Sequence, residues 1–157
     1  MKTSKSSLTK TFEFSASHRY YRDDWSEKRN RQVFGACANA NGHGHNYLLE
    51  VTVTGPVDPV TGMVINLTDL KDAVEDVLRE FDHYHLNLDT PYFKDRIPTS
   101  ENFAATLWSL IVPKLPASAR LQCIRLREDE DLFVEFYGER MAGVKQSQQR
   151  TKGGGRI

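Results

Sequence analysis

Cysteine is scarce in this chain: Cys37 and Cys123 are the only two among 157 residues. They could close one disulfide at most. With no charged-then-apolar leader pattern at the start, both are read as reduced thiols of a cytoplasmic protein. Net charge is also missing, since 21 Lys and Arg balance 21 Asp and Glu, so no global field favours nucleic acid or an anionic membrane. No apolar run approaches the ~20 residues that span a bilayer, and no internal repeat is visible. What remains is ordinary for a globular domain: 39% hydrophobic, 27% charged and 10% aromatic residues, enough to bury one core.

Three segments are expected. Residues 1–8 are polar and should fray. Residues 9–139 form a single domain. Residues 140–157 are basic, rich in Gln and Gly, and have almost nothing to bury, so they are expected to be a disordered tail whose one conceivable partner is acidic. Within the domain, residues 9–18 alternate, with Phe12, Phe14, Ala16 and His18 on one face. Residues 47–54 read as a second strand, then PVDPVTG turns the chain and MVIN resumes it as a long-loop hairpin. Helical spacing of Leu67, Leu70, Val74, Val77, Leu78 and Phe81 predicts a helix over 67–81, with Asp69 in its first turn. A second helix is predicted from Thr99-Ser100-Glu101 to Val112, stopped by Pro113. Strands follow at 119–128 and 132–138. The order β-β-α-α-β-β implies an α+β fold, an antiparallel sheet with two helices on one face. Its open edges invite pairing with copies of itself.

The chemistry concentrates in VFGACANANGHGHNY, residues 33–47. His43 and His45 are two apart, so in extended chain both imidazoles point the same way, and Gly42 and Gly44 remove bulk beside them. His18 ends a strand on its inward face, and a chain reversal could bring it alongside. Three imidazoles with an open position suit a catalytic zinc, which acts as a Lewis acid on a substrate oxygen. Cys37 could close that shell as a structural fourth ligand. It could instead stay free as a thiolate, its pKa lowered by a nearby cation, to move a proton or attack. Cys123, in an alternating strand, reads as a small buried hydrophobe. Asp82 and His83 follow the first helix, where they either form a proton relay or merely end the helix and answer its dipole. His85, in the same loop, carries no independent case. Glu128 shares the inward face of Ile124 and Leu126. A buried carboxylate there needs an Arg, or a ligand offering parallel N–H donors such as a pterin or guanine edge.

Taken together, FSASHR at 14–19, FGACANANGHGHNY at 34–47, VDPVTGMVINLTDLK at 57–71, FDHYHLNLD at 81–89, PTSEN at 98–102 and a late Glu resemble the 6-pyruvoyltetrahydropterin synthase family, whose wider membership includes 6-carboxytetrahydropterin synthase of the queuosine pathway. The resemblance spans about residues 9–139. It implies the tunnelling fold, with sheets joined edge to edge as a trimeric barrel and two barrels stacked as a homohexamer with active sites at subunit interfaces. By position, His18, His43 and His45 resemble the zinc ligands and Cys37 the catalytic thiol. Asp82 and His83 resemble a second relay that reaches the thiol from a neighbouring subunit. Glu128 resembles the pterin anchor, with Glu130 the fallback because an acidic DED replaces the usual continuation. Thr99, Ser100 and Glu101 resemble the helix start beside the pterin pocket.

The implied substrate is 7,8-dihydroneopterin triphosphate, with Zn2+ as cofactor. In the pyruvoyl reaction triphosphate leaves and the side chain becomes a diketone; in the carboxy reaction the side chain is cleaved and acetaldehyde leaves. The five residues between Cys37 and His43 resemble the pyruvoyl branch. Two other classes compete. A metal-bearing pterin-binding protein without turnover has no use for Cys37, Asp82 and His83 together. An unrelated zinc hydrolase calls for a carboxylate base near the metal in place of a thiol.

Overall fold

The computed structural model of the chain describes residues 4–139. The expected tail at 140–157 lies outside the described residues, as do residues 1–3. Two long strands organise everything else. Lys5–His18 (β1) and His43–Pro56 (β2) pair antiparallel along their whole length, from Lys5 opposite Pro56 to His18 opposite His43. Both strands are longer than the apolar pattern predicts. Residues 5–8, expected to fray, are placed in β1: the β2 backbone supplies their ladder, although they have little to bury. At the other end the H-G-H segment lies inside β2 instead of in the loop before it.

Between the two strands the chain makes an excursion that apolar periodicity does not reveal. Glu27–Phe34 (α1) is a polar helix, capped by the Ser26 side chain accepting from the Arg29 N–H, and Gly35–Ala38 follow as a 3-10 turn. Asn30, fully buried, ties the excursion to itself: its side chain accepts from the Arg22 N–H at 2.8 Å and donates to the Arg22 carbonyl at 2.9 Å. After β2, Met63–Asn66 does not resume as a strand. Ile65 is buried against the core and Asn66 caps the next helix, accepting from the Thr68 N–H at 2.9 Å.

Leu67–Leu78 (α2) ends three residues before Phe81, and Leu67 faces solvent instead of joining the buried stripe. Tyr84–His85 (β3) then pairs parallel with Ala16–Ser17, so the sheet is not wholly antiparallel. Leu86–Asp89 (α3) is a single turn, and Ser100–Ile111 (α4) is the second long helix. Arg120–Asp129 (β4) and Leu132–Phe136 (β5) complete a sheet of order β3-β1-β2-β4-β5. The long elements keep the expected β-β-α-α-β-β order of an α+β fold.

Alternation puts Phe12, Phe14, Tyr47, Leu49, Ile124 and Leu126 on one face of the sheet, where they meet Leu70, Val74, Phe103 and Leu107 of the helices. Each such side chain contributes about 1.5–3 kcal/mol on burial. Phe14 stacks on Tyr47 at 5.2 Å, and Phe103 meets both edge-on. The same inward face continues, two residues at a time, to His18 on β1, His45 and His43 on β2, and Glu128 on β4. The core therefore runs directly into the site.

Candidate metal centre and active site

The β1–β2 register places His18 across from His43, and His45 one step further on the same face. Their rings gather edge to face, with centroids 4.8–5.0 Å apart. His18 Nε2 lies 3.2 Å from His43 Nε2. His18 is 0% exposed, and its other nitrogen, Nδ1, meets the Tyr47 hydroxyl at 3.1 Å. Such a partner fixes the tautomer and aims the opposite nitrogen at the cluster. Burial, then the neighbouring imidazoles, push the His18 pKa from 6.5 down to about 3, so His18 is neutral in the metal-free protein at ordinary pH.

Glu128 joins these rings. It sits at a bulge where β4 advances two residues against one of β5, an irregularity that re-aims a side chain. Its Oε1 lies 3.1 Å from His45 Nε2 and 3.9 Å from His18 Nε2, and its Oε2 accepts from the Ser100 hydroxyl. Ligating atoms of His18, His43, His45 and Glu128 all fall within 4.8 Å of one another. The chemistry of the donor set, three imidazoles and a carboxylate, suits a divalent metal: ligands about 2.0–2.1 Å from a tetrahedral ion stand about 3.3 Å apart, near the 3.1 and 3.2 Å edges here and shorter than the 3.9 Å His18–Glu128 edge. Although 3.1 Å from Glu128 Oε1, buried His45 Nε2 makes no hydrogen bond of acceptable geometry among the described residues, as expected of a nitrogen whose lone pair a cation would satisfy.

Cys37 stands beside this group and not in it, its Sγ 3.8 Å from His43 Nε2. The excursion holds it there: the Tyr20 N–H donates to the Cys37 carbonyl at 2.8 Å, and Arg19 Nε donates to the Ala38 carbonyl at 3.2 Å. The lowered thiol pKa expected from the sequence is not found in the metal-free chain. Burial, then the Glu128 carboxylate, push it up. Cys123 is partly buried on β4, away from this group.

Asp82 and His83 do pair, with His83 Nδ1 2.9 Å from Asp82 Oδ1. The Ser15 N–H donates to the same carboxylate at 2.9 Å. His83 adopts a positive φ of 65°, uncommon for a residue with a side chain. The pair lies in the turn after α2, with the His83 side chain 80% exposed. Among the described residues, no hydrogen bond or ion pair joins it to Cys37 or the imidazoles of its own chain. Thr99 caps α4, accepting from the Asn102 N–H at 3.2 Å. Ser100 is buried on Glu128, while Glu101 and Glu130 are exposed.

Two residues near the centre were given no role from the sequence, Tyr20 unnoticed and His85 weighed without an independent case. Tyr20 packs its ring on His18 at 4.6 Å; the only signal was its position two residues after that histidine. His85 sits beside the turn before β2: a Cβ on Gly42 would come within 3.0 Å of its Nε2.

A family model described as 6-pyruvoyl tetrahydropterin synthase matches residues 7–139. The 6-pyruvoyl tetrahydrobiopterin synthase of Poecilia reticulata is 46% identical over 133 residues, covering 84% of this chain and 90% of the relative. The human protein of the same name is 42% identical over 133 residues, covering 84% and 91%. The solved structure of Caenorhabditis elegans 6-pyruvoyl tetrahydropterin synthase superposes with a TM-score of 0.83 at 33% identity, over 88% of this chain and 99% of that one. At that identity and coverage, the motif resemblance becomes membership: this chain belongs to the 6-pyruvoyl tetrahydropterin synthase family.

Proposed function

We propose that this chain is a lyase that converts 7,8-dihydroneopterin triphosphate to 6-pyruvoyltetrahydropterin with loss of triphosphate, using zinc held by His18, His43 and His45. The observation that carries this reading is the convergence of three imidazoles with a thiol 3.8 Å from one of them. When bound, zinc supplies a Lewis acid that acidifies the side-chain hydroxyls of the substrate and the C–H beside them. Cys37 Sγ takes the proton from that carbon. The Asp82–His83 pair returns protons on the other face, Asp82 orienting the imidazole through Nδ1 and leaving Nε2 to exchange. Glu128 accepts the parallel N–H donors of the pterin ring, with Ser100 fixing the carboxylate and Thr99 and Glu101 at the pocket rim.

Because the Asp82–His83 pair is exposed and no hydrogen bond or ion pair among the described residues joins it to Cys37 of its own chain, we assign it to the Cys37 of a neighbouring copy. That arrangement requires an oligomer, and we take it to be the homohexamer that the motif resemblance implies. The β5 edge supports assembly: Leu132, Phe133 and Tyr137 are exposed at an outer strand edge that no strand among the described residues covers. No helix among the described residues is long and apolar enough to cross a membrane, and we place the enzyme in the cytoplasm.

The test is reconstitution. Protein stripped by a chelator, then reloaded with one Zn2+ per chain, should release triphosphate from 7,8-dihydroneopterin triphosphate only in the loaded form. Full activity in the stripped protein would overturn the metal's role. Binding of the pterin without triphosphate release from the loaded protein would favour a non-catalytic relative.

A further inference from the structure

Next to the metal centre lies a separate cavity of about 800 Å³, within the ~300–1,000 Å³ usual for a small-molecule site. It adjoins the centre at three points along the chain. Arg19 directly follows His18, and Thr99 directly precedes Ser100. His85 Nε2 stands where a Cβ on Gly42, the neighbour of His43, would come within 3.0 Å. Three cations line the cavity with no carboxylate in ion-pair contact among the described residues: Arg19, Lys94 and Arg96. Neutral acceptors hold them instead. Arg19 Nε donates to the Ala38 carbonyl at 3.2 Å, Lys94 Nζ to the Asn87 and Leu88 carbonyls at 3.0 Å, and Arg96 to the Thr106 hydroxyl at 2.7 Å. Each head keeps N–H donors to spare. Of the carboxylates in the lining, Asp24 is already claimed by Arg22 through bonds of 2.7 and 2.9 Å, while Asp23 and Asp95 are exposed. Four cations against three carboxylates leave the lining net positive in a chain of zero formal charge. His85 Nδ1 is buried without a hydrogen-bond partner, an unmet polar group of the kind a ligand satisfies.

We propose that this cavity holds the triphosphate of the substrate, with Arg19, Lys94 and Arg96 as its cationic contacts and His85 Nδ1 as a further donor. This rests on the reading of the chain as an enzyme that turns over 7,8-dihydroneopterin triphosphate. A triphosphate brings several negative charges and many acceptor oxygens, and guanidinium forks and an ammonium are the groups that bind them. The start of α4 adds its own N-terminal dipole to that wall, where Thr99 and Asn102 stand. A substrate with its ring and hydroxyls in the centre carries its phosphates beyond, into the space that Arg19, His85 and Thr99 border. Arg19 has a second consequence. Its bond to the Ala38 carbonyl braces the residue after Cys37, so the group that holds the phosphates also steadies the turn that carries the thiol.

The double variant Lys94→Ala/Arg96→Ala tests this, because both side chains are exposed and neither belongs to the metal centre. In zinc-loaded protein it should raise KM for 7,8-dihydroneopterin triphosphate at least about tenfold. The inhibition constant of 7,8-dihydroneopterin, the same molecule without phosphates, should stay close to that of the wild type. An unchanged KM would overturn the proposal, as would equal weakening of both ligands. If the variant fails to fold, inorganic triphosphate added to the zinc-loaded wild type decides the matter, with zinc content measured after each titration. It should inhibit competitively against the substrate and lose potency as salt rises. Inhibition that is not competitive, or none at all, places the phosphates elsewhere and refutes the cavity. Turnover with an unchanged KM in the double variant defeats the cavity's role alone, whereas absent turnover in the zinc-loaded wild type defeats the broader reading.

Discussion

Replacing Tyr47 by Phe removes one oxygen from the site's interior and leaves the packing almost untouched. Tyr47 is 1% exposed, stacked on Phe14 and edge-on to Phe103, and a Phe ring fills the same space. What is lost is the 3.1 Å contact to His18 Nδ1. Without metal, an unsatisfied buried Nδ1 costs about 1–3 kcal/mol. With metal the cost grows, because the hydroxyl also sets the tautomer that aims Nε2 at the ion. Loss of such outer partners weakens binding roughly 10–100-fold, which is about 1.4–2.7 kcal/mol. Under saturating metal that difference adds directly to the loss of stability. The assay is thermal unfolding of wild type and Tyr47→Phe, each with chelator and with excess Zn2+, together with competitive zinc titration. The melting temperature should fall further in the zinc-loaded pair than in the stripped pair, by roughly 4 °C per additional kcal/mol. Equal falls in both conditions, with unchanged zinc affinity, would refute the orienting role of Tyr47.

Other perturbations separate the parts of the site. Cys37→Ala should keep about one zinc per chain and lose turnover by at least ~100-fold, whereas His43→Ala should lose both; zinc lost from the cysteine variant would return the thiol to the metal shell. Gly42→Ala should lower stability and zinc content together, because Gly42 has φ 66° and an added Cβ would collide with the His18 carbonyl; a normal melting temperature with full zinc would contradict this. Metal-free protein should weaken in acid. The folded pKa of His18 is about 3 against 6.5, so the unfolded chain binds the extra proton. The stability tied to neutral His18 is therefore present above pH 6.5 and declines as pH falls toward 3, by up to about 1.4 kcal/mol per unit. Denaturant midpoints of stripped protein measured between pH 7 and 4 check it, and a flat profile attributable to His18 (compared with His18→Gln) would contradict it.

The parts legible in the sequence were those written in short periods. Alternation in β1 and β4 placed His18 and Glu128 on the inward face, and helical spacing found α2 and α4. The motif FGACANANGHGHNY located the site before any geometry was known. Elements whose stability comes from partners were missed. Residues 5–8 form strand because β2 offers a ladder, not because they are apolar. Helix α1 buries a single asparagine, Asn30, and so shows no apolar stripe. Parallel β3 is two residues long, a length at which no pattern exists. Apolar MVIN was misread as a strand because Ile65 is buried from a loop. Glu128's approach to the imidazoles depends on a bulge, and a bulge is a property of two strands together. The exposure of the Asp82–His83 pair was likewise invisible, since the spacing fixes adjacency and not direction.

The central claim is that this metal centre drives loss of triphosphate with the pterin side chain intact. Mass spectrometry of the product from zinc-loaded protein and 7,8-dihydroneopterin triphosphate tests it most directly. The expected result is a tetrahydropterin retaining all three side-chain carbons as a diketone, with triphosphate released in equal amount. A 6-carboxytetrahydropterin accompanied by acetaldehyde would contradict it.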